Sequence, residues 1–148
     1  MTLKCAISRF WQAVLLAAAL CAALPLRAEV TDIDVATLAR LAAAGVTVVD
    51  VRRVEEWRET GVIGGSRRLT YVDAQGRVDP QWVEKMKAIV PPDHPVALLC
   101  RTGGRSAAAA RLLDGAGYKK VYNVQGGIFA WIQAGMPVTP LADAEGKK

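Results

Sequence analysis

The run Cys100-Arg101-Thr102-Gly103-Gly104-Arg105-Ser106 puts a sulfur nucleophile, two fixed cations and two glycines within seven residues. It follows the apolar stretch Pro95 to Leu99 and precedes the alanine-rich stretch Arg105 to Gly115, so a buried strand ends at the cysteine and a helix begins behind it. In an open α/β sheet ligands bind at that edge. Backbone N–H groups of residues 101–106 can turn inward around one sulfur only if the chain curls tightly, which Gly103 and Gly104 permit. The N-terminal end of the following helix is positive and faces the same place, and Arg101 and Arg105 add charge. All three terms favour thiolate over thiol and attract an anionic substrate. The chemistry predicted is nucleophilic attack by the Cys100 sulfur with no histidine base. The sole histidine, His94, sits in a proline-rich turn and is expected at the surface.

Cysteine usage isolates this thiol. Residues 1–28 begin with a basic region (Lys4, Arg9), continue through the apolar run Trp11 to Leu24 and end at Leu26-Arg27-Ala28. This pattern predicts a secretory signal peptide cleaved after Ala28, although Leu26 is larger than the residue usual at its position. The apolar run is shorter than the roughly 20 residues that span a bilayer. Leu20 is too bulky to precede a lipidated Cys21. Cleavage would remove Cys5 and Cys21 and leave Cys100 alone, unable to form an internal disulfide. An unpaired thiol in an oxidising compartment invites mixed disulfides and over-oxidation, so one kept there is expected either to be buried and inert or to be needed for its chemistry.

Charge and composition exclude other classes. The whole chain carries +5, but residues 1–28 hold three of the 19 basic side chains and none of the 14 acidic ones. The mature chain has 16 basic against 14 acidic groups, which gives no argument for nucleic-acid binding. One Cys and one His make a poor metal site, and no organic cofactor is expected. The remaining residues, about 120, suffice for one domain, placed at 29–140, with 141–148 as a flexible tail. A monomer, periplasmic or secreted and without stable membrane association after cleavage, is expected.

The elements that position Cys100 alternate along the chain. Glu29 to Asp34 leads into a helix over 35–44, capped by Asp34 and stopped by Gly45. A buried strand is predicted over 46–51, a short helix over 54–60, a turn at 64–66 and a short strand over 69–72. Asp79-Pro80 opens a helix to about Ile89, since proline suits the first helical position. Strands over 95–100 and 118–124, each followed by a helix (105–115 and 128–134), complete an α/β domain with a mainly parallel sheet. Trp57, Phe129 and Trp131 are expected in the core. Gly126-Gly127 is expected to let backbones approach closely near the cysteine loop. Arg67 and Arg68 are expected as solvated charges or as contributors to the positive field.

The loop 100–106 resembles the active-site loop of the rhodanese family. Val48-Val-Asp-Val-Arg-Arg-Val-Glu-Glu-Trp57 is similar to that family's early strand-and-helix motif. Val121-Tyr-Asn-Val-Gln-Gly-Gly-Ile-Phe-Ala-Trp131, with Gly135-Met-Pro-Val138, is similar to its C-terminal motif. The resemblance covers Asp34 to Val138 and implies a three-layer fold around a five-stranded sheet. It implies a Cys100 persulfide that takes sulfane sulfur from a small anionic donor such as thiosulfate and passes it to a thiol, cyanide or protein acceptor. Arg101, Thr102, Gly103, Gly104, Arg105 and Ser106 form the substrate loop in that scheme, with Arg101 and Arg105 on the donor's anionic end and Arg105 also bracing the loop. Asp50, Arg52 and Glu56 form a supporting ion network. Cys100 to Arg105 spans six residues, as in the sulfurtransferases, whereas related phosphatases and arsenate reductases use a loop one residue longer. A persulfide carrier or sulfur sensor is the alternative in a different class. Gly61-Val62-Ile63-Gly64-Gly65-Ser66 stands where the family often has Gly-His-Ile-Pro-Gly-Ala, so the neighbouring pocket wall is expected to differ.

Overall fold

The structure, a computed structural model, describes residues 29–141. The expected signal segment 1–28, with Cys5 and Cys21, and residues 142–148 of the expected tail lie outside the described residues. In chain order the elements are β1 (Glu29–Ile33), α1 (Val35–Ala43), β2 (Thr47–Asp50), α2 (Val54–Thr60), β3 (Arg67–Arg68), α3 (Trp82–Ile89), β4 (Val96–Leu99), α4 (Gly104–Gly115), β5 (Lys120–Val124) and α5 (Gly127–Gln133).

The five strands form one sheet in the order β1-β5-β4-β2-β3, and every neighbouring pair is parallel. Parallel pairing demands crossovers, and the helices supply them on both faces. The period-two alternation of each strand divides the core. Val49, Val96 and Leu98 point to one face, where they pack with Trp82 and Met86 of α3 and Ala109, Ala110 and Leu113 of α4. Val48, Ala97 and Leu99 point to the other, against Leu38 of α1 and Ile128 and Trp131 of α5. Burial on both faces explains why β4 is apolar throughout: all four of its residues are buried. Truncating a fully buried leucine such as Leu98 would cost about 2–5 kcal/mol.

Three departures from the sequence reading have physical causes. Residues 29–33 form an edge strand rather than a lead-in, because Val30 to Ile33 register with Val121 to Val124 at the far end of the chain. The strand expected over 69–72 falls instead at Arg67–Arg68, pairing with Val49 and Asp50, while Val72 makes only an isolated bridge to Val78. Helix α3 starts at Trp82, since Asp79 uses its carboxylate to accept from the Gln81 N–H at 2.9 Å and holds residues 79–81 in a turn. The Asp34 cap is present: its carboxylate accepts from the Thr37 N–H at 2.7 Å.

Thr139 returns to Val62, just beyond the end of α2, in an antiparallel bridge. Val62 and Thr139 exchange both backbone hydrogen bonds, at 2.9 and 2.8 Å. Val62, which stands where a histidine is usual in the resembled family, is buried with Trp57 and Leu141. An apolar side chain suits this position because it joins a small hydrophobic cluster. Leu141 thus packs on the domain.

Candidate active site

Cys100 follows the last residue of β4, the central strand, at the carboxyl edge of the sheet. Its side chain is 1% exposed, so the sulfur lies at the bottom of its loop. The Sγ atom accepts the Gly103 N–H at 3.1 Å and the Ser106 hydroxyl at 3.3 Å. The Ser106 hydroxyl also lies 3.0 Å from the Gly103 carbonyl oxygen. It has one hydrogen for two acceptors, so a charged sulfur would draw that hydrogen toward itself. Burial pushes the Cys100 thiol up, but the Ser106 hydroxyl and the amides of Ser106, Gly103 and Thr102 outweigh it, and the net shift is downward.

Gly103 is the residue that makes the curl. Its φ is +103°, and a Cβ there would come within 3.2 Å of the Val124 carbonyl oxygen. Gly104, the first residue of α4, needs no such freedom: nothing lies within 4 Å of the Cβ position. The loop is also held from behind by the start of α5. The Ile128 N–H donates to the Cys100 carbonyl at 2.9 Å, and the Phe129 N–H donates to the Arg101 carbonyl at 3.3 Å. With these carbonyls engaged outward, the amides of the loop are left for the sulfur. Gly127 makes the approach possible, because a Cβ there would collide with the Cys100 carbonyl oxygen and lie 2.6 Å from the Arg101 carbonyl carbon. The expected role of Gly126-Gly127 is therefore concentrated in Gly127.

The supporting charges form two ion pairs, Asp50–Arg52 and Glu56–Arg105, which Arg52 links by donating to the Glu56 backbone carbonyl. Asp50 and Arg52, both fully buried, pair at 2.6 Å. Arg52 spends its remaining donors on the Glu56 carbonyl at 3.2 Å, the Thr60 hydroxyl at 2.7 Å and the Gly61 carbonyl at 2.9 Å, fastening β2 to both ends of α2. The Glu56 carboxylate turns away from Arg52 and holds Arg105 of the loop. It also accepts the Arg53 N–H at 3.0 Å. Burial raises Glu56, yet Arg105 and the Arg53 amide hold it at about 2. Thr60, which sequence reasoning missed, is one of the anchors, and no local pattern marks it.

Arg105, expected on the substrate, is thus committed to a carboxylate. Arg101 remains outside, with its side chain 43% exposed, its guanidinium carbon 4.7 Å from the Phe129 ring centroid and a nitrogen 3.7 Å from a Glu59 oxygen. Phe129, expected in the core, is instead 41% exposed. Trp57 and Trp131 are buried, and Arg68 lies 5.8 Å from the Trp57 ring centroid. Thr102 and Gly104 are exposed and Ser106 is buried. His94 is exposed and faces Asp93 at 2.9 Å. Among the described residues no group of three or more His, Cys, Asp or Glu is placed to hold a metal ion. A cavity of about 610 Å³ between Leu69, Tyr71, Val78 and Pro80 includes no residue of the cysteine loop.

Similarity to known proteins follows the same boundaries. The model of the rhodanese-like domain matches residues 34–134. Thiosulfate sulfurtransferase 18 of Arabidopsis thaliana is 34% identical over 115 residues, covering 74% of this chain and 84% of that protein. Protein HIGH ARSENIC CONTENT 1 of the same plant is 30% identical over 110 residues, covering 72% of this chain and 64% of that protein. Among solved structures, a rhodanese-related protein from Thermoplasma volcanium superposes with a TM-score of 0.60 at 35% identity, covering 74% of this chain and 97% of that one. With its parallel five-stranded sheet, two helical layers and motifs inside the matched span, the chain belongs to the family of rhodanese-like domains.

Proposed function

We propose that this domain is a sulfurtransferase working through a persulfide on Cys100. The observation that carries the reading is the Cys100 sulfur accepting an amide and a hydroxyl hydrogen in a one-sulfur cradle, with its thiol pulled down despite burial. The sulfurtransferase name of a 34% identical relative supports the same chemistry.

In the first step the Cys100 thiolate attacks the outer sulfur of thiosulfate. A new S–S bond forms on Cys100, the S–S bond of thiosulfate breaks, and sulfite leaves with the bonding pair. The inward hydrogens of Gly103 and Ser106 then face the persulfide. In the second step an acceptor thiolate or cyanide attacks the outer persulfide sulfur, and Cys100 leaves as the thiolate. Two half-reactions sharing one covalent intermediate predict ping-pong kinetics. Arg101 meets the donor's anionic end, Thr102 offers a hydroxyl at the exposed side, and Arg105 braces the loop through Glu56. Residues 1–28 serve as an export signal in this proposal, placing a monomeric domain in the periplasm or outside the cell.

The near-complete burial of the sulfur favours a second reading, a carrier whose persulfide is protected until a specific protein thiol reaches it. Intact mass tests both. Thiosulfate should add one sulfur, about 32 Da, to the reduced protein and nothing to Cys100→Ser. Rapid release to cyanide with repeated turnover marks the enzyme; stable loading released only to a protein thiol marks the carrier. If neither thiosulfate nor an organic persulfide adds sulfur to Cys100, the proposal fails.

A further inference from the structure

Of the two loop arginines, Arg101 has the more loosely held guanidinium. Arg105 gives two nitrogens to the two Glu56 oxygens, at 2.7 and 2.5 Å, and its side chain is 25% exposed. Such a fork is geometrically satisfied and has little left for a visiting anion. Arg101 stands 3.7 Å from Glu59, a contact between exposed groups that water and salt weaken. Its closer companion is an aromatic face. The Arg101 guanidinium carbon is 4.7 Å from the Phe129 centroid, inside the roughly 6 Å range of cation–π attraction.

Phe129 grips Arg101 twice, through its backbone N–H to the Arg101 carbonyl and through its ring to the guanidinium. Phe129 is 41% exposed, and its ring stands beside the Arg101 guanidinium at the protein surface. A guanidinium stacked on a ring gives up rotamer freedom while keeping its edge N–H groups open to an anion. A free arginine would have to be ordered each time a substrate arrives.

We infer that Phe129 is a positioning residue for anion recognition: its ring holds the Arg101 guanidinium at the rim of the Cys100 loop, which makes Arg101 the group that selects donors with an anionic end over neutral ones. This rests on the sulfurtransferase reading for the identity of the donor, but not for the recognition itself. Arg105 is the brace and Arg101 the selector, so the two arginines of the loop divide the work. A leucine at position 129 would keep the backbone N–H and most of the bulk while removing the ring's negative face.

The test compares two alkylating agents with the same reacting carbon, anionic iodoacetate and neutral iodoacetamide. In each the Cys100 thiolate forms a C–S bond and iodide leaves with the C–I pair. The wild-type ratio of the two rates measures anion preference. Phe129→Leu should lower that ratio about two- to fivefold, the effect of losing one exposed cation–π contact, with the iodoacetamide rate unchanged. Phe129→Trp should restore it. Arg101→Met should lower the ratio at least as far, and adding Phe129→Leu in that background should do nothing more. With thiosulfate, Phe129→Leu should raise KM by a similar factor and leave kcat alone.

A ratio unaltered in Phe129→Leu would overturn the inference. So would equal slowing with both reagents, or an undiminished Phe129→Leu effect in the Arg101→Met background. If thiosulfate loads no sulfur while the alkylation ratios behave as stated, the sulfurtransferase reading fails and the positioning role stands.

Discussion

Glu56 and Arg105, 49 residues apart, meet through two parallel hydrogen bonds of 2.7 and 2.5 Å. Glu56 belongs to the first turn of α2 and Arg105 to the first turn of α4, so this contact clamps the loop after β4 to the helix after β2. The Glu56 carboxylate also receives the Arg53 amide that precedes its own helix. One carboxylate therefore closes a capping interaction within α2 and fixes the cysteine loop from the side.

The clamp makes acid stability depend on Glu56. Its folded value of about 2 lies below the ordinary 4.5, so its contribution is complete above about pH 4.5 and is lost as pH falls toward 2. The full displacement would correspond to about 3 to 4 kcal/mol at neutral pH, and solvent screening around the partly exposed Arg105 keeps the clamp's contribution below that. Urea unfolding from pH 6 down to pH 2 should show a loss of stability in wild type that is smaller in Glu56→Gln. Identical pH dependence in the two proteins would mean that the clamp is not what holds Glu56 ionised. Glu56→Gln should also slow alkylation of Cys100, because the loop amides lose their fixed placement.

Ser106 should govern how acidic the thiol is. Burial favours the neutral thiol, and the Ser106 hydroxyl is the largest force opposing it. Wild-type alkylation by iodoacetamide should titrate with a midpoint shifted down from that of an ordinary thiol. In Ser106→Ala that midpoint should move up, with the rate at pH 7 reduced about tenfold or more, in line with the loss of one hydrogen bond to a charged sulfur. The two rates should converge at high pH, where both sulfurs are ionised. A persistent deficit there would point to a misplaced sulfur instead of a changed acidity.

The Asp50–Arg52 pair should matter for stability far more than for sulfur chemistry. Both side chains are fully buried, and the hydrogen bonds of the Arg52 guanidinium go to the Asp50 carboxylate, two backbone carbonyls and Thr60, all in β2, α2 and the residue that ends it. Removing one partner leaves a buried charge uncompensated, at a cost of about 3–5 kcal/mol. Asp50→Asn should thus lower the urea midpoint sharply, while the folded protein alkylates at a rate within about twofold of wild type. A large rate change without a stability change would reverse this assignment.

Local sequence carried the cysteine loop, β4 and α4, because a glycine turn between an apolar run and an alanine-rich run leaves few alternatives. It carried less where pairing is distant. Residues Val30 to Ile33 take their strand state from β5, some 90 positions later, and Arg67–Arg68 look like solvated charge until Val49 and Asp50 are set beside them. Asp50, Arg52 and Glu56 were recognisable as a charged group, but which partner each takes depends on side-chain geometry: Glu56 turns to Arg105 and Arg52 to Asp50. Phe129 misleads for a related reason. An aromatic between buried Ile128 and Trp131 follows the apolar pattern, but its position on α5 turns it toward Arg101.

The two glycine pairs give the sharpest contrast between pattern and structure. Gly103-Gly104 and Gly126-Gly127 look equivalent in sequence, yet Gly104 is exposed with open space at its Cβ position, whereas Gly127 has φ +56° and backbone of Cys100 and Arg101 against it. Gly104→Ala at the start of α4 should leave stability within about 1 kcal/mol of wild type or raise it, because alanine narrows the unfolded ensemble and favours the helix. Gly127→Ala must push α5 away from the loop, losing the hydrogen bonds from Ile128 and Phe129 to the Cys100 and Arg101 carbonyls. Its loss should reach about 2–4 kcal/mol, with a marked fall in Cys100 alkylation rate, since carbonyls released from α5 would disturb the inward amides. Urea unfolding and iodoacetamide kinetics on the two variants decide the matter. Equal behaviour would mean that α5 does not set the shape of the cysteine loop.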